Sequence, residues 1–547
     1  MAFSQKERAE LMRFIQLNKL KIKSSTGWTN YSKFRRNKNA LVLDIVDSES
    51  LSTVLKFITA LNKKKDPAQR ILVRPAAGGR GKKYSESYSV HGIEDTDIVI
   101  RLVGKEFTEI KAIDMQNQVV KIGASMQVGE INQQLYERYN FTLPTSSLNP
   151  YISFIGLAAN SGIGTGKDQP GVAGLIKSMT LCLPNGEIAT IDSTHPDFAA
   201  ICSGHQGLFG FVLSAEIQCI DAQKLECDKE VMSVAQLIEE IKQGLFERDP
   251  YTSIYIMPTY QPDELINRTY KNVCVYRWRP VEKTRLDLNA RTPFTHLRQE
   301  IETRIYDFLH VSDFLCKYPC LIPYFAQYIL LPLVIGRKNE TSISRWYDSV
   351  HHQTGYPGNV EDTGLIFEVS SDHHEIIIAL ERVFTTLHQY SKQGYYPITT
   401  GMYLRYLQGM NGGVSITQHQ LGKHVCSFDM VSDIHIPGHE AFQKEITEFF
   451  RTMLKAIPHL GKFLPCDYQL DCADYNDVLI RWYKENNLNL EESMLLTAHY
   501  CKILQLREMM PAQSEFSSTQ PTLFQPARNL TQLKSRLDDG VRYVAAL

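Results

Sequence analysis

No charge of one sign dominates this chain. Lysine and arginine total 59 against 60 aspartates and glutamates, a formal net charge of -1 over 547 residues. A protein that grips nucleic acid mainly through phosphates carries a basic excess, at least locally. The runs "KFRRNK" (33–38) and "NKKK" (62–65) are too short for that and read as solvated faces. No nucleic-acid partner is expected. Paired cysteine motifs are absent as well. The 11 cysteines are an odd number at irregular spacing, which excludes a disulfide scaffold and predicts a reduced, cytoplasmic chain. Cys316 and Cys320 have no second pair nearby, so no metal is expected there. The opening residues "MAFSQKERAELMRF" lack the apolar run of a signal peptide.

Long hydrophobic runs are missing too. The most apolar stretch, "CLIPYFAQYILLPLVIG" (320–336), is shorter than the roughly 20 residues of a span. It also contains Pro323, Pro332 and Gln327. It reads as a buried segment. With Lys317, Arg337 and Lys338 at its flanks, contact with a membrane surface is the alternative, which would make the protein peripheral at a membrane.

What is present suffices for several cores. Hydrophobic residues make up 43% and charged residues 22%, which excludes a mostly disordered chain. At about 100–200 residues per domain, roughly three or four domains fit the length.

Strand and helix patterns alternate from about residue 39. "ALVLDIV" (40–46) and "RILVRPA" (70–76) read as strands. A helix over 48–64, with Ser48 as N-cap, puts Leu51, Val54, Leu55, Ile58 and Leu61 on one face. "VVKIGAS" (119–125) is a strand, and 128–139 a helix. "SMTLCLPNGEIATID" (178–192) is a hairpin turning at Asn185-Gly186, and 210–220 a closing strand. The first 27 residues read as a polar helix followed by "KSSTG" (23–27). The middle mixes helices with strands at 252–258, 273–278 and 363–370. An amphipathic helix follows at 441–457, then a linker at 511–528 and a short helix at 529–539.

Two glycine-rich loops carry the chemistry. One is Ala77-Gly78-Gly79-Arg80-Gly81, directly after a strand; the other is "NSGIGTGKDQPGVAG" (160–174). Glycines let backbone amides close on an anion. Neither loop completes a Walker or Rossmann pattern. Position 161 is Ser where a Walker loop starts on glycine, and Asp168 follows Lys167. The double histidines His351-His352 and His373-His374 read as helix-end features rather than metal ligands, with Asp372 as an N-cap. Ser203 and His205 lack a nucleophile elbow.

Taken in order, five segments resemble the flavoproteins with a vanillyl-alcohol-oxidase (PCMH-type) FAD domain. They are Arg74 to Gly81, Val119 to Asn132, Ile155-Gly156 through Gly166, Ile176 to Glu187 and Ser203 to Leu213. The nearest branches are the sugar-lactone, alditol and decaprenylphosphoryl-ribose oxidases. The resemblance implies an α+β fold. A two-subdomain FAD-binding domain (39–222) follows an N-terminal lead-in (1–38). An α+β substrate, or cap, domain with an antiparallel sheet follows (223–440), and the C-terminal segment (441–547) packs back near the FAD site.

By this resemblance FAD is held by Arg74, Ala77, Gly78, Gly79, Arg80, Gly81 and Ser85. The second loop adds Pro144, Ser146, Ser147, Gly156, Asn160, Ser161, Gly162, Gly164, Thr165 and Gly166. Gly210 and Val212 line the flavin. Many members bind FAD covalently through a histidine where Arg80 stands. The decaprenylphosphoryl-ribose oxidases also have Arg there, and position 163 is Ile, so non-covalent FAD is implied.

"IPHLGKF" (457–463) and "YPITTGMYLRYL" (396–407) resemble the flavin-facing motifs of the sugar-lactone and alditol oxidases. They nominate His459, Lys462, Arg405 and Tyr403 as catalytic residues, Tyr403 standing where those enzymes have Glu. The expected function is oxidation of a CH–OH group of a sugar, sugar lactone or polyol by hydride transfer to FAD. A lipid-linked sugar, or a C–C or C–N bond, is an alternative substrate. An inactive flavin-binding interaction protein is the alternative from another class.

Overall fold

The computed structural model describes residues 3–501 except 32–34, 67–68, 78–90, 259, 261–269, 291–310, 336–338, 352–359, 410–421, 460, 464–472 and 498–499. The chain divides into two compact units, Met1–Met509 and Met510–Leu547. The second lies outside the described residues, as do the linker and short helix expected at 511–539.

Three sheets organise the first unit. The first comprises β1 (Ile22–Thr29), β2 (Arg36–Ile45), β3 (Val73–Pro75) and β4 (Ile98–Leu102), in the order β1-β2-β4-β3. β2, β3 and β4 run parallel, and β1 joins β2 antiparallel. β1 takes up the "KSSTG" stretch, for which no strand was expected. It is an edge strand, exposed along most of its length, so it lacks the apolar alternation that marks a strand. The helix Gln5–Leu17 before it is closed by a Ser4–Glu7 capping box. The helix Ser48–Asn62 buries Leu51, Val54, Leu55 and Ile58. Its N-cap is Asp47, not Ser48: Asp47 accepts from the Ser50 amide at 2.9 Å.

The second sheet comprises β5 (Ile110–Asp114), β6 (Val119–Gly123), β8 (Ile176–Cys182), β9 (Ile188–Asp192) and β10 (Phe211–Gln218). A short ribbon of β7 (Phe141–Thr142) and β11 (Ile220–Asp221) lies apart. The order β5-β6-β10-β8-β9 makes β10 the central strand rather than a closing one. β8 and β9 form the expected hairpin, pairing Ser178 with Asp192 and Cys182 with Ile188. The helix read over 128–139 is α-helical only through Val128–Gln134. A π turn, Leu135–Tyr139, ends it at Asn140, whose φ is 57°.

The third sheet has eight strands: β12 (Lys224–Met232), β13 (Tyr251–Ile256), β14 (Val273–Val281), β15 (Glu340–Arg345), β16 (Val360–Glu368), β17 (Gly401–Gln408), β18 (His424–Asp433) and β19 (Ile457–Pro458). It is antiparallel throughout, in the order β15-β12-β14-β13-β17-β18-β16-β19. Helices Val234–Lys242, His374–Lys392 and His439–Met453 cover one face. Successive strand residues point to opposite faces, so Met402, Leu404, Phe428 and Met430 meet these helices. Tyr403, Arg405, Ser427 and Asp429 point the other way. The helix Ala473–Glu485 returns to the second sheet, where Tyr475, Val478, Leu479, Trp482 and Tyr483 join its core.

Candidate active site

On the uncovered face of the third sheet, three adjacent strands bring charge together. Register places Arg405 of β17 opposite Ser427 of β18, and Asp429 of β18 opposite Gly364 of β16. Asp362 precedes Gly364 by two residues on the same face. Arg405 Nη2 donates to Asp429 Oδ2 at 2.6 Å, and its Nη1 to the Ile163 carbonyl at 3.3 Å. Ser427 Oγ donates to Asp429 Oδ1 at 2.9 Å. Lys462 Nζ bridges Asp429 (2.7 Å) and Asp362 (2.8 Å).

The turn after β19 delivers Lys462. The His459 amide donates to the Gly364 carbonyl at 2.8 Å, and the Phe463 amide to Asp362 at 2.8 Å. Gly364 must be glycine for this approach. A Cβ there would stand 2.7 Å from Lys462 Cδ and 2.8 Å from Asp429 Oδ1. The strip is bounded by apolar side chains on both sides, Ile163, Ile366, Leu407 and Val425 on one and Val360, Tyr403 and Val431 on the other.

The environment splits the carboxylates. Burial alone would raise Asp429, but the charges of Lys462 and Arg405 and their hydrogen bonds outweigh it and hold its carboxyl well below the usual range. Asp362 has the weaker cationic support, and burial pushes it up to about 6. Its Oδ1 has no hydrogen-bond partner among the described residues. Glu361, also on the cavity wall, is pushed up to about 7 by burial. Burial, then Lys462, pushes His459 down to about 3, so its imidazole is neutral. Its Nδ1 accepts from the Gly461 amide at 3.0 Å, which assigns the ring proton to Nε2.

This wall faces residues of the first two sheets across a cavity of about 780 Å³. Arg74, Gly156, Asn160, Gly162, His205 and Gly210 line the same cavity. Arg74 is fully buried. Its Nη2 donates to the Gln206 carbonyl (2.5 Å) and to Tyr500 Oη (2.9 Å), while Nε and Nη1 have no partner among the described residues. Burial lowers its pKa. A buried guanidinium half without partners is costly unless an anion meets it. His205 repeats the pattern. Its Nδ1 accepts from the Gly207 amide (3.0 Å), its Nε2 has no partner, and burial followed by the Arg74 charge pushes it down to about 4. Three orphaned donor atoms on two residues, beside glycine backbone, suit a bound pyrophosphate, so these residues fit FAD.

The cavity wall therefore collects Arg74, Ala77, Ser147, Gly156, Asn160, Gly162, Gly210, Val212, Arg405, His459 and Lys462 from the residues expected by sequence. Pro144, Ser146, Ser161, Gly164, Thr165 and Gly166 are not on the cavity wall. Asn132 donates to Ser146 Oγ at 3.1 Å, and His351 Nδ1 contacts the Ser147 carbonyl at 2.9 Å. Gly166 bridges to Leu407 of β17. Gly78, Gly79, Arg80, Gly81 and Ser85 lie outside the described residues.

Tyr403 is displaced from its expected catalytic place. It packs on Tyr255 with ring centroids 4.5 Å apart, under the apolar segment, and is not on the cavity wall. Asp372 is not the N-cap of its helix; His373 holds that position. Asp372, His374 and Glu375 bring potential ligand atoms within 4.8 Å of one another at the surface.

The sequence reading missed Asp362, Glu361 and Asp429. One signal was available. "CSFDMV" sets a lone Asp429 in a strand whose neighbours are buried, and a buried carboxylate needs cations.

An FAD binding domain family matches residues 67–192. A search of curated protein sequences found no match. Among solved structures, cholesterol oxidase from Brevibacterium sterolicum is similar at TM-score 0.61 and 11% identity, covering 90% of this chain and 96% of that one. A xylooligosaccharide oxidase from Myceliophthora thermophila C1, solved with xylobiose, gives TM-score 0.58 and 12% identity, covering 89% and 98%. A chitooligosaccharide oxidase gives 0.55 and 12%, covering 88% and 99%. The chain thus contains an FAD binding domain over residues 67–192 and shares the α+β fold of these oxidases.

Proposed function

We propose that this flavoprotein is an oxidoreductase that oxidises a CH–OH group of a sugar, sugar lactone or polyol, with FAD held non-covalently. The observation that carries this reading is the Arg405–Asp429–Lys462–Asp362 network, which shares one cavity with the FAD-side residues Arg74, Gly156 and Gly210. Bound FAD supplies the hydride acceptor.

The chain's own residues handle the hydroxyl. His459 Nε2–H donates to the substrate oxygen and orients it. Asp362, largely ionised at neutral pH, accepts the hydroxyl proton. Lys462 and Arg405 offset the negative charge that develops on the oxygen, while Asp429 fixes both cations in place. The apolar flanks keep water from the strip. The similar folds of oligosaccharide oxidases support a carbohydrate hydroxyl as the substrate group.

The test is anaerobic mixing of the purified protein with a panel of aldonolactones, alditols and oligosaccharides. A substrate bleaches the flavin absorbance. A panel in which none bleaches it, with a flavin still reducible by dithionite, overturns the reading.

A further inference from the structure

The segment from Val311 to Ile335 has two faces. Its inner residues Leu315, Ile322 and Ala326 are buried. Ala326, with Leu330 and Leu331, packs on Val360, Tyr403 and Val431 of the third sheet, and Val360 also lines the cavity. The outer face shows Phe314, Tyr318, Leu321, Tyr324, Tyr328 and Ile329, from 38% to 66% exposed. Those six are close to half of the 14 exposed large hydrophobic side chains among the described residues, all within one short stretch. Such concentration marks an interaction surface. The backbone is a broken run of helix Val311–Lys317, a 3-10 turn at Pro319–Leu321, helix Ile322–Phe325 and π-helix Ala326–Ile335. No helix among the described residues is long and apolar enough to cross a membrane.

We propose that this face seats the protein on an anionic phospholipid bilayer, lying on the surface without spanning it. Two observations select lipid. Tyr318, Tyr324 and Tyr328 pair an apolar ring with a polar tip, the combination that settles at headgroup level. In sequence the segment 311–338 carries Lys317, Arg337 and Lys338 against Asp313 alone, and a net-positive apolar segment is drawn to anionic headgroups. A second copy of the chain is disfavoured by the same charges. A two-fold dimer through this face would bring together two copies of a net-positive segment. Docking here places the cavity wall at Val360 directly behind the membrane surface.

The test is flotation of the full-length, FAD-loaded protein with phosphatidylcholine vesicles containing phosphatidylglycerol, and with phosphatidylcholine alone. The protein should float with the anionic vesicles and less with the neutral ones. The double variant Tyr324→Ser/Tyr328→Ser should lose about tenfold in partitioning. Lys317→Glu should lower it further in low salt than in high salt. Flavin absorbance retained by each variant shows that the fold survives.

Absence of flotation at low salt overturns the proposal, as does a double variant that floats like wild type. A concentration-dependent dimer abolished by the double variant, without flotation, assigns the face to a second copy and also overturns it. Flotation reads docking alone and substrate bleaching reads catalysis alone, so either reading can fail without the other.

Discussion

Asp362 and Arg74 do opposite things with the same physical fact, a charged side chain with too few partners. Asp362 shares Lys462 with the stronger-held Asp429, and burial leaves its carboxyl near 6. A base must be ionised before it accepts a proton, so flavin reduction by substrate should slow as pH falls through about 6. His459 adds no limb there because its own titration lies far lower. Glu361 adds a smaller one nearer 7 if its charge is felt at the substrate. Asp362→Asn should cut the reduction rate by about 10²–10⁴-fold and remove the limb near 6. Stopped-flow absorbance against pH checks this. A limb that survives in the variant moves the base elsewhere. Arg74 instead waits for an anion. Arg74→Gln should weaken FAD binding by roughly 10- to 100-fold, the worth of one or two charge-assisted hydrogen bonds. Fluorescence titration of the apoprotein with FAD measures it; an unchanged affinity would place the pyrophosphate away from Arg74.

At the scale of elements, the site is three strands and one turn, and its weakest tolerance is on β16. Gly364 leaves the room in which Lys462 crosses from the β19 turn to Asp429. Gly364→Ala should displace that ion pair by a few tenths of an ångström or more. We expect turnover to fall about 10- to 100-fold with FAD content unchanged, since misplacement by about 1 Å costs that much. Full activity in the variant would show that the Lys462–Asp429 contact is not needed. This element was half legible in sequence. Arg405, His459 and Lys462 stand in motifs with recognisable neighbours. Asp362 and Asp429 do not, because each sits in a strand whose alternation hides which face it occupies until the register is known. Strand β1 was missed for the converse reason: an edge strand buries too little for its pattern to show. Tyr403 shares the motif with Arg405 but lies two residues closer to the apolar segment. Two residues of offset separate cavity wall from core.

At the scale of the whole molecule, near neutrality excluded a broad basic surface, and a pyrophosphate bound beside Arg74 would meet, among the described residues, that buried arginine, neutral His205 and glycine backbone. That economy bears on how FAD is attached. A covalent link needs a nucleophilic side chain at the flavin. In the two loops the sequence has Arg80 and Ile163, neither of which forms a histidyl link, and Ile163 is buried among Ile366, Leu407 and Val425. Among the described residues the cavity wall includes no cysteine, and its histidines are His91, His205 and His459. Of these, His205 and His459 are held by short backbone bonds at Nδ1. Acid precipitation should therefore release all of the flavin as FAD into the supernatant, read by its absorbance and chromatography. Yellow colour kept in the pellet would mean that a bond forms after all. Peptide mapping of that pellet would then separate a link at one of the three cavity histidines from one in residues 78–90.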